Sequence, residues 1–532
     1  MRGFPPLYSP ARDGHGRGRS DGTAAAAGGP AVPIPFSGPL STTGLGVALV
    51  AFVVLMLGIG WRAGARIKTI EDYVVAGRRL SLPFATATLF ATWFGAGTLL
   101  TATDEVRAEG LRAAALEPIG PGLCLLIAGV FFARRLWRMR LLTLPDFFRR
   151  RFGPRAEVVA SVIMVPGYFG WIAAQFVALA GVLELFWGIP MAHGIWLVAA
   201  VGTSYTLLGG MWSVTLTDVV QLGFLVVGIA VIAVAVLAEL GSGAGVVAGL
   251  DRLLSDVPAD QLALAPTDSA AELTAWLAVL AIGALGNIPG QDLTQRIFAS
   301  RSERTAVAAC CISGVLYIAI GFVPVASGLA ADLLGVDGTN GTLTAVAAAV
   351  LNPALTIVFV LALASAVLST IDSAILAPSS VLSTNLMSRA WPSADPLALG
   401  RIAILIVAGA SLAVAYAGSS AYELLETAYA IGMVALFVPL ARGLKAGGSE
   451  RAALASMATG ATLWGMHLAL GWEAFGGPWL GLDVLPQELA ATAAAWVAYE
   501  AAARGARRAA AGVEEREALA ARAFPVGNVA DS

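Results

Sequence analysis

Two short interruptions, Phe94-Gly-Ala-Gly-Thr98 and Gly286-Asn-Ile-Pro-Gly290, decide how this sequence is read. Each falls inside an apolar stretch near the ~20 residues that a helix needs to cross a bilayer. Glycine and proline weaken the helical ladder, and carbonyls freed at membrane depth must find a partner other than water or lipid. Glycine also serves helix packing in membranes, so either interruption alone has that plain alternative. Two of them at corresponding positions point toward a site.

The surrounding composition sets the solvent. Of 532 residues, 58% are hydrophobic and 13% charged, with a mean hydropathy of +0.78. A soluble fold cannot cover that much apolar surface, so lipid covers much of it. Thirteen apolar stretches recur, at about 44–61, 83–103, 115–133, 157–187, 190–208, 212–238, 272–290, 305–331, 354–386, 398–417, 421–440, 452–472 and 484–503. Ahead of them, residues 1–43 are rich in Gly, Pro, Ala and Arg and are expected to be a disordered tail. No apolar run begins before Gly44, so no cleavable signal peptide is expected. Residues 504–532 read as a cytoplasmic tail. The net charge of −2 gives no basic field for nucleic acid. Cys124, Cys310 and Cys311 lack metal-ligand spacing, and a bond between the neighbouring pair would be strained. No span pairs a nucleophile with a base or carries His/Asp/Glu metal spacing, which argues against an enzyme.

Charge sets the expected orientation. On this map most of the 33 Lys and Arg fall on one side, chiefly after 44–61, in 134–155, after 272–290 and in the C-terminal tail. By the positive-inside rule the N-terminus is outside and the C-terminus cytoplasmic, as in a multi-pass protein of the cell's inner membrane. Thirteen spans beginning outside make 83–240 and 272–440 two five-helix units that enter from opposite faces. Inverted repeats of this kind hold a site at the midplane between two broken helices.

Five collinear blocks then carry a resemblance. They are Glu71-Asp-Tyr-Val-Val-Ala-Gly-Arg78, Phe90-Ala-Thr-Trp-Phe-Gly-Ala-Gly97, Gly209-Gly-Met-Trp-Ser-Val-Thr-Leu-Thr-Asp-Val-Val-Gln221, Ile288-Pro-Gly-Gln-Asp-Leu-Thr-Gln-Arg296 and Ser365-Ala-Val-Leu-Ser-Thr-Ile-Asp-Ser373. Over about residues 44–440 the chain resembles the sodium:solute symporter family, most of all its choline and proline transporter branches. The resemblance implies an all-α polytopic membrane protein with a leucine-transporter-like 5+5 inverted repeat and about 13 transmembrane helices. It further implies symport of a small-molecule solute with sodium as coupling ion, the lipid bilayer as partner, and no required oligomer.

The resemblance also implies sites. Ala366, Ser369 and Thr370 stand at i, i+3 and i+4 on one helix face, and oxygens suit a hard cation. With the carbonyls of Ala91 and Phe94 they match the family's shared sodium site, against the plain alternative that Ser and Thr bond back to their own helix. Asp218 and Asp372 are ionisable groups at membrane depth and are candidates for a second cation or a proton; an ion pair or helix cap is the alternative for Asp218. The solute pocket is expected from Thr92, Trp93, Trp171, Gln175, Asn287 and Gly290. The choline branch has a tryptophan where Gly290 stands and an acid where Ala278 stands, which points away from choline itself. Glu117, Glu184, Glu423 and Glu426 are expected at the rim, and Asp292–Arg296 is expected as a salt-bridged cytoplasmic brace. A proton-coupled symporter, or a sensor that keeps the transporter fold, are the alternative functions.

Overall fold

A computed structural model describes residues 42–523 of the chain, apart from 268, 338–340, 419–420, 446–447, 473 and 478–484. The expected N-terminal tail lies outside the described residues except at its last two. The described chain is helical almost throughout. Its long helices are α1 (Thr42–Gly64), α2 (Leu82–Trp93), α3 (Gly97–Glu109), α4 (Leu111–Arg138), α5 (Pro154–Trp187), α6 (Met191–Leu240), α7 (Ala270–Gly286) and α8 (Gln291–Ala299). They continue as α9 (Glu303–Leu333), α10 (Pro353–Ala390), α11 (Pro396–Ala415), α12 (Glu423–Gly443), α13 (Glu450–Leu470) and α14 (Gln487–Ala523).

Local chemistry sets many of the ends. Ser302 Oγ accepts a hydrogen bond from the Thr305 amide at 3.1 Å, and Asn352 Oδ1 accepts from Leu355 at 3.0 Å, each satisfying a donor that the first turn leaves open. Pro154, Pro353 and Pro396 take the first helical positions, where their missing N–H costs nothing. At its other end α14 runs on through Ala523, past the expected end of the span at 503, because Ala, Glu and Arg dominate there and all favour helix.

Among the described residues, nine segments are long and apolar enough to cross a membrane, with α7 and α8 together making one of them, or ten with the bent pair α2–α3 counted as one span. Two of the thirteen expected stretches are merged in the 50-residue α6, which loses helical torsions at Gly209 and Gly210. The stretches at 452–472 and 484–503 form α13 and α14, which pack together but fall outside the nine.

Both interruptions are real breaks. Helices α2 and α3 meet at 58° across Phe94–Ala96, and α7 stops at Gly286 before α8 begins at Gln291. Around them α6 and α10 pack along one another, α10 lies against α5, and α9 lies against α2. The first break faces the middle of α10, and the second faces α5 and α12.

Candidate functional site

The first break redirects a hydrogen bond. In an unbroken helix the Gly95 amide would bond the Ala91 carbonyl; here Phe94 leaves helical torsions (φ −78°, ψ 72°) and Gly95 N–H turns to Trp93 O at 2.9 Å. The released Ala91 oxygen faces α10. Ser369 Oγ lies 3.1 Å from it and Thr370 Oγ1 3.5 Å, while the same hydroxyls lie 2.9 and 3.1 Å from the Ala366 carbonyl. Four of the five expected oxygens thus converge across two helices, with Phe94 at the lip of the break. The hydroxyls do bond back to their own helix, as the plain alternative held, and they also reach across to the opened one.

This approach needs a bare backbone. A Cβ at Gly95 would lie 2.4 Å from Thr370 Oγ1 and 2.7 Å from Gln175 Oε1, closer than real Cβ atoms come. Gln175 uses that oxygen to accept the Ala96 amide at 2.9 Å, tying α5 to the start of α3.

A second polar cluster lies further along the same interface of α2 with α10. Thr88 Oγ1 donates to Asp218 at 2.5 Å and accepts from Arg296 Nε at 3.2 Å. Ser373 Oγ accepts from the Arg296 guanidinium at 2.6 Å and donates to Asp372 at 3.3 Å, and Thr217 adds a donor to Asp372 at 3.4 Å. One buried cation is thereby joined to two buried carboxylates through hydroxyls. Asp218, Asp372 and Arg296 are all fully buried. Thr92 belongs here, with its hydroxyl on Thr88 O at 2.6 Å and Ser373 Oγ at 3.2 Å.

A cavity of about 40 Å³ opens at the second break, lined by Tyr168, Trp171, Asn287, Gly290, Asp292 and Tyr429 among others. Of the residues expected to line a solute pocket, Trp171, Asn287 and Gly290 do so. Trp93 supports it by donating its indole N–H to Asp292. Thr92 and Gln175 do not line it, because their side chains serve the two clusters above. A larger cavity of about 550 Å³ adjoins it through Ile163, Gly167, Ala428 and Ile431.

Two expectations are corrected. The 292–296 segment is not a loop brace held by a salt bridge. It is the buried second half of a broken helix, and Arg296 donates to the main-chain oxygen of Asp292 at 3.0 Å. Four of five residues there are polar, so hydropathy hid a segment whose partners include Trp93, Tyr168, Thr88 and Ser373 on other helices. Glu117 is not a solvated rim residue either. It is buried and accepts from Thr98 at 2.8 Å, Tyr317 at 3.0 Å and Tyr429 at 3.2 Å, joining four helices. An isolated Glu beside Pro118 gave no pattern from which those partners could be read.

A sequence model of the sodium:solute symporter family matches residues 73–441, which takes in both breaks, α10 and both polar clusters. The chain belongs to the sodium:solute symporter family. It is 28% identical over 361 residues to a human protein named high affinity choline transporter 1, covering 64% of this chain and 61% of that one. The chain therefore spans about three-fifths of that relative's length. It is 27% identical over 474 residues to the sodium/proline symporter of Escherichia coli (strain K12), covering 82% of this chain and 90% of that one. Its fold is shared with a solved Na+-coupled sialic acid symporter, with a TM-score of 0.69 at 18% identity over 86% of this chain and 97% of that one.

Proposed function

We propose that the chain is a sodium-coupled symporter that imports a small organic solute by alternating access. The carrying observation is the Ala91 carbonyl, freed by the first break and met by Ser369, Thr370 and the Ala366 carbonyl. Sodium binds there, with Phe94 as the fifth ligand. Oxygens from two helices, one of them broken, suit a hard ion whose departure lets the helices part. The coupling is energetically sufficient. One sodium descending about 100 mV releases ~2.3 kcal/mol, and a tenfold gradient adds ~1.4 kcal/mol, together enough for a solute gradient of several hundredfold.

The second cluster supports one further cation. Asp218 and Asp372 bring two negative charges against the single charge of Arg296, and Asp218 Oδ1 has no hydrogen-bond partner among the described residues. A second sodium or a proton there completes the balance, and the proton is the form in which the proton-coupled alternative survives. The solute occupies the space at the second break, between Trp171 and the Asn287–Gly290 backbone. In this reading thirteen spans run from an outer N-terminus to a cytoplasmic C-terminus in the inner membrane, with repeats at 83–240 and 272–440.

The test is thermal unfolding of the purified full chain in sodium chloride against equimolar potassium chloride, at two pH values. Sodium is expected to raise Tm saturably, and Ser369→Ala to weaken that response. Losing one oxygen ligand, comparable to a hydrogen bond to a charged group of ~1.5–3 kcal/mol, corresponds to a fall of about 10- to 150-fold in apparent affinity. A protein indifferent to sodium but stabilised by lower pH would overturn sodium coupling.

A further inference from the structure

Asp292 is the carboxylate that lines the small cavity, and its surroundings are built around it. It is 3% exposed, on the first turn of α8 just past the break. Trp93 and Tyr168 each donate to one of its oxygens, and its own amide donates to the Tyr168 hydroxyl at 3.1 Å. Gly290 clears the room: a Cβ there would lie 2.6 Å from Asp292 Oδ1 and 2.8 Å from Asn287 O. The absent side chain at 290 is therefore filled by a carboxylate rather than left as empty space.

Arg296 feels the charge of that carboxylate through space, but among the described residues no ion pair answers it. Arg296 stands one turn further along α8, but its guanidinium donates to the Asp292 main chain, to Ser373 and to Thr88. Among the described residues no cation reaches the Asp292 carboxylate within the 4.0 Å of an ion pair. A buried unpaired charge costs several kcal/mol at membrane depth unless a ligand answers it. A carboxylate offers about four acceptor positions, of which Trp93 and Tyr168 fill two. The open positions call for N–H donors bearing positive charge. Tyr168, Trp171 and Tyr429, which line the same cavity, add aromatic rings that attract a cation. A volume of about 40 Å³, room for about three waters at ~10–15 Å³ each, admits a small cationic head.

We propose that Asp292 is the solute's principal recognition group, and that the solute carries a protonated primary or secondary amine. A fully methylated ammonium has no N–H to give the carboxylate, and a sugar or an organic acid leaves its charge unanswered or opposed. The inference deepens the symport reading and rests on it for the place where the solute binds.

The test is thermal unfolding of the purified full chain in sodium chloride with paired probes. Ethanolamine is set against choline, and L-proline against its N,N-dimethyl form, with D-glucose and acetate as neutral and anionic probes. At least one N–H amine is expected to raise Tm while its methylated counterpart does not. In Asp292→Asn the apparent amine affinity is expected to fall by about 30-fold or more, the scale of losing one partner of a buried charge pair, with the shift due to sodium alone retained. Should Asp292→Asn fail to fold, Gly290→Ala displaces the same carboxylate and is expected to weaken the amine more than tenfold. Stabilisation by choline, glucose or acetate in place of the amines, no response to either amine, or full amine affinity in the variant that folds, would each overturn the assignment. Loss of the sodium shift in the unaltered protein would instead overturn the symport reading, so the two failures are told apart.

Discussion

Replacing Gly95 by alanine adds one methyl group at the tightest point of the proposed sodium site. The new Cβ would meet Thr370 Oγ1 at 2.4 Å, Gln175 Oε1 at 2.7 Å and Thr370 Cβ at 2.9 Å. Contacts this short must open by roughly half an ångström for the longest and about one ångström for the shortest to reach ordinary packing distances. The movable elements are α2 and α10, whose separation sets the Ala91–Ser369 spacing of 3.1 Å. Overpacking of this kind costs about 1–3 kcal/mol, and displacing Gln175 from the Ala96 amide adds about 1 kcal/mol. The larger effect falls on the ion, because oxygens moved that far apart no longer close on it together. With sodium at one hundred times its dissociation constant, binding stabilises a protein by about 2.7 kcal/mol. A hundredfold weaker site leaves only about 0.4 kcal/mol at the same concentration. The assay is thermal unfolding of the purified variant across a sodium titration. Gly95→Ala is expected to unfold at a lower temperature in potassium and to lose most of the stabilisation by sodium. A variant that folds and keeps the full sodium response would refute the assignment of Ala91, Ser369 and Thr370 to the ion.

Other expectations follow from the remaining clusters. Asp372→Asn removes one of two carboxylates facing Arg296, and the number of cations moved per solute in proteoliposomes is expected to fall by one; unchanged transport and stoichiometry would remove the second-cation reading. Glu117→Leu strands the Tyr429 hydroxyl and takes one partner each from Thr98 and Tyr317, at about 1–3 kcal/mol for the donor left without a partner. Thermal stability is expected to drop clearly, whereas Glu117→Gln, which keeps an acceptor, drops less; equal behaviour of the two would contradict the bracing role. Outside the spanning helices, burial works against the charge on Asp72, but hydrogen bonds from Thr69, the Lys68 amide and Arg79 outweigh it and hold the carboxyl below its ordinary 3.8. A depressed folded value means that this stabilisation is complete above the unfolded value and is lost as pH falls through the folded one. Asp72→Asn is therefore expected to flatten the loss of stability below about pH 4, and an unchanged acid limb in unfolding scans would count against it.

Much of the architecture was legible in the sequence, because lipid imposes a simple code. Stretches of about 20 apolar residues must be helices, and the Gly- and Pro-bearing motifs at 94–98 and 286–290 mark the places where those helices break. The positions of Ser369 and Thr370 on one face also followed from helical spacing alone. The sites around the breaks were legible only in part. Gln175 and Thr92 have the chemistry of solute ligands, yet one caps the Ala96 amide and the other joins the Thr88–Ser373 cluster. Asp292 and Arg296 looked like polar loop residues because hydropathy records solubility, while their burial depends on Trp93, Tyr168, Thr88 and Ser373, residues 77 to 208 positions away. Sequence by itself determined which segments lie in lipid and where their backbones are weakened, since those are local properties. Tertiary structure alone decided which freed oxygens, hydroxyls and charges face one another, because at membrane depth such groups are satisfied across helices as well as along their own.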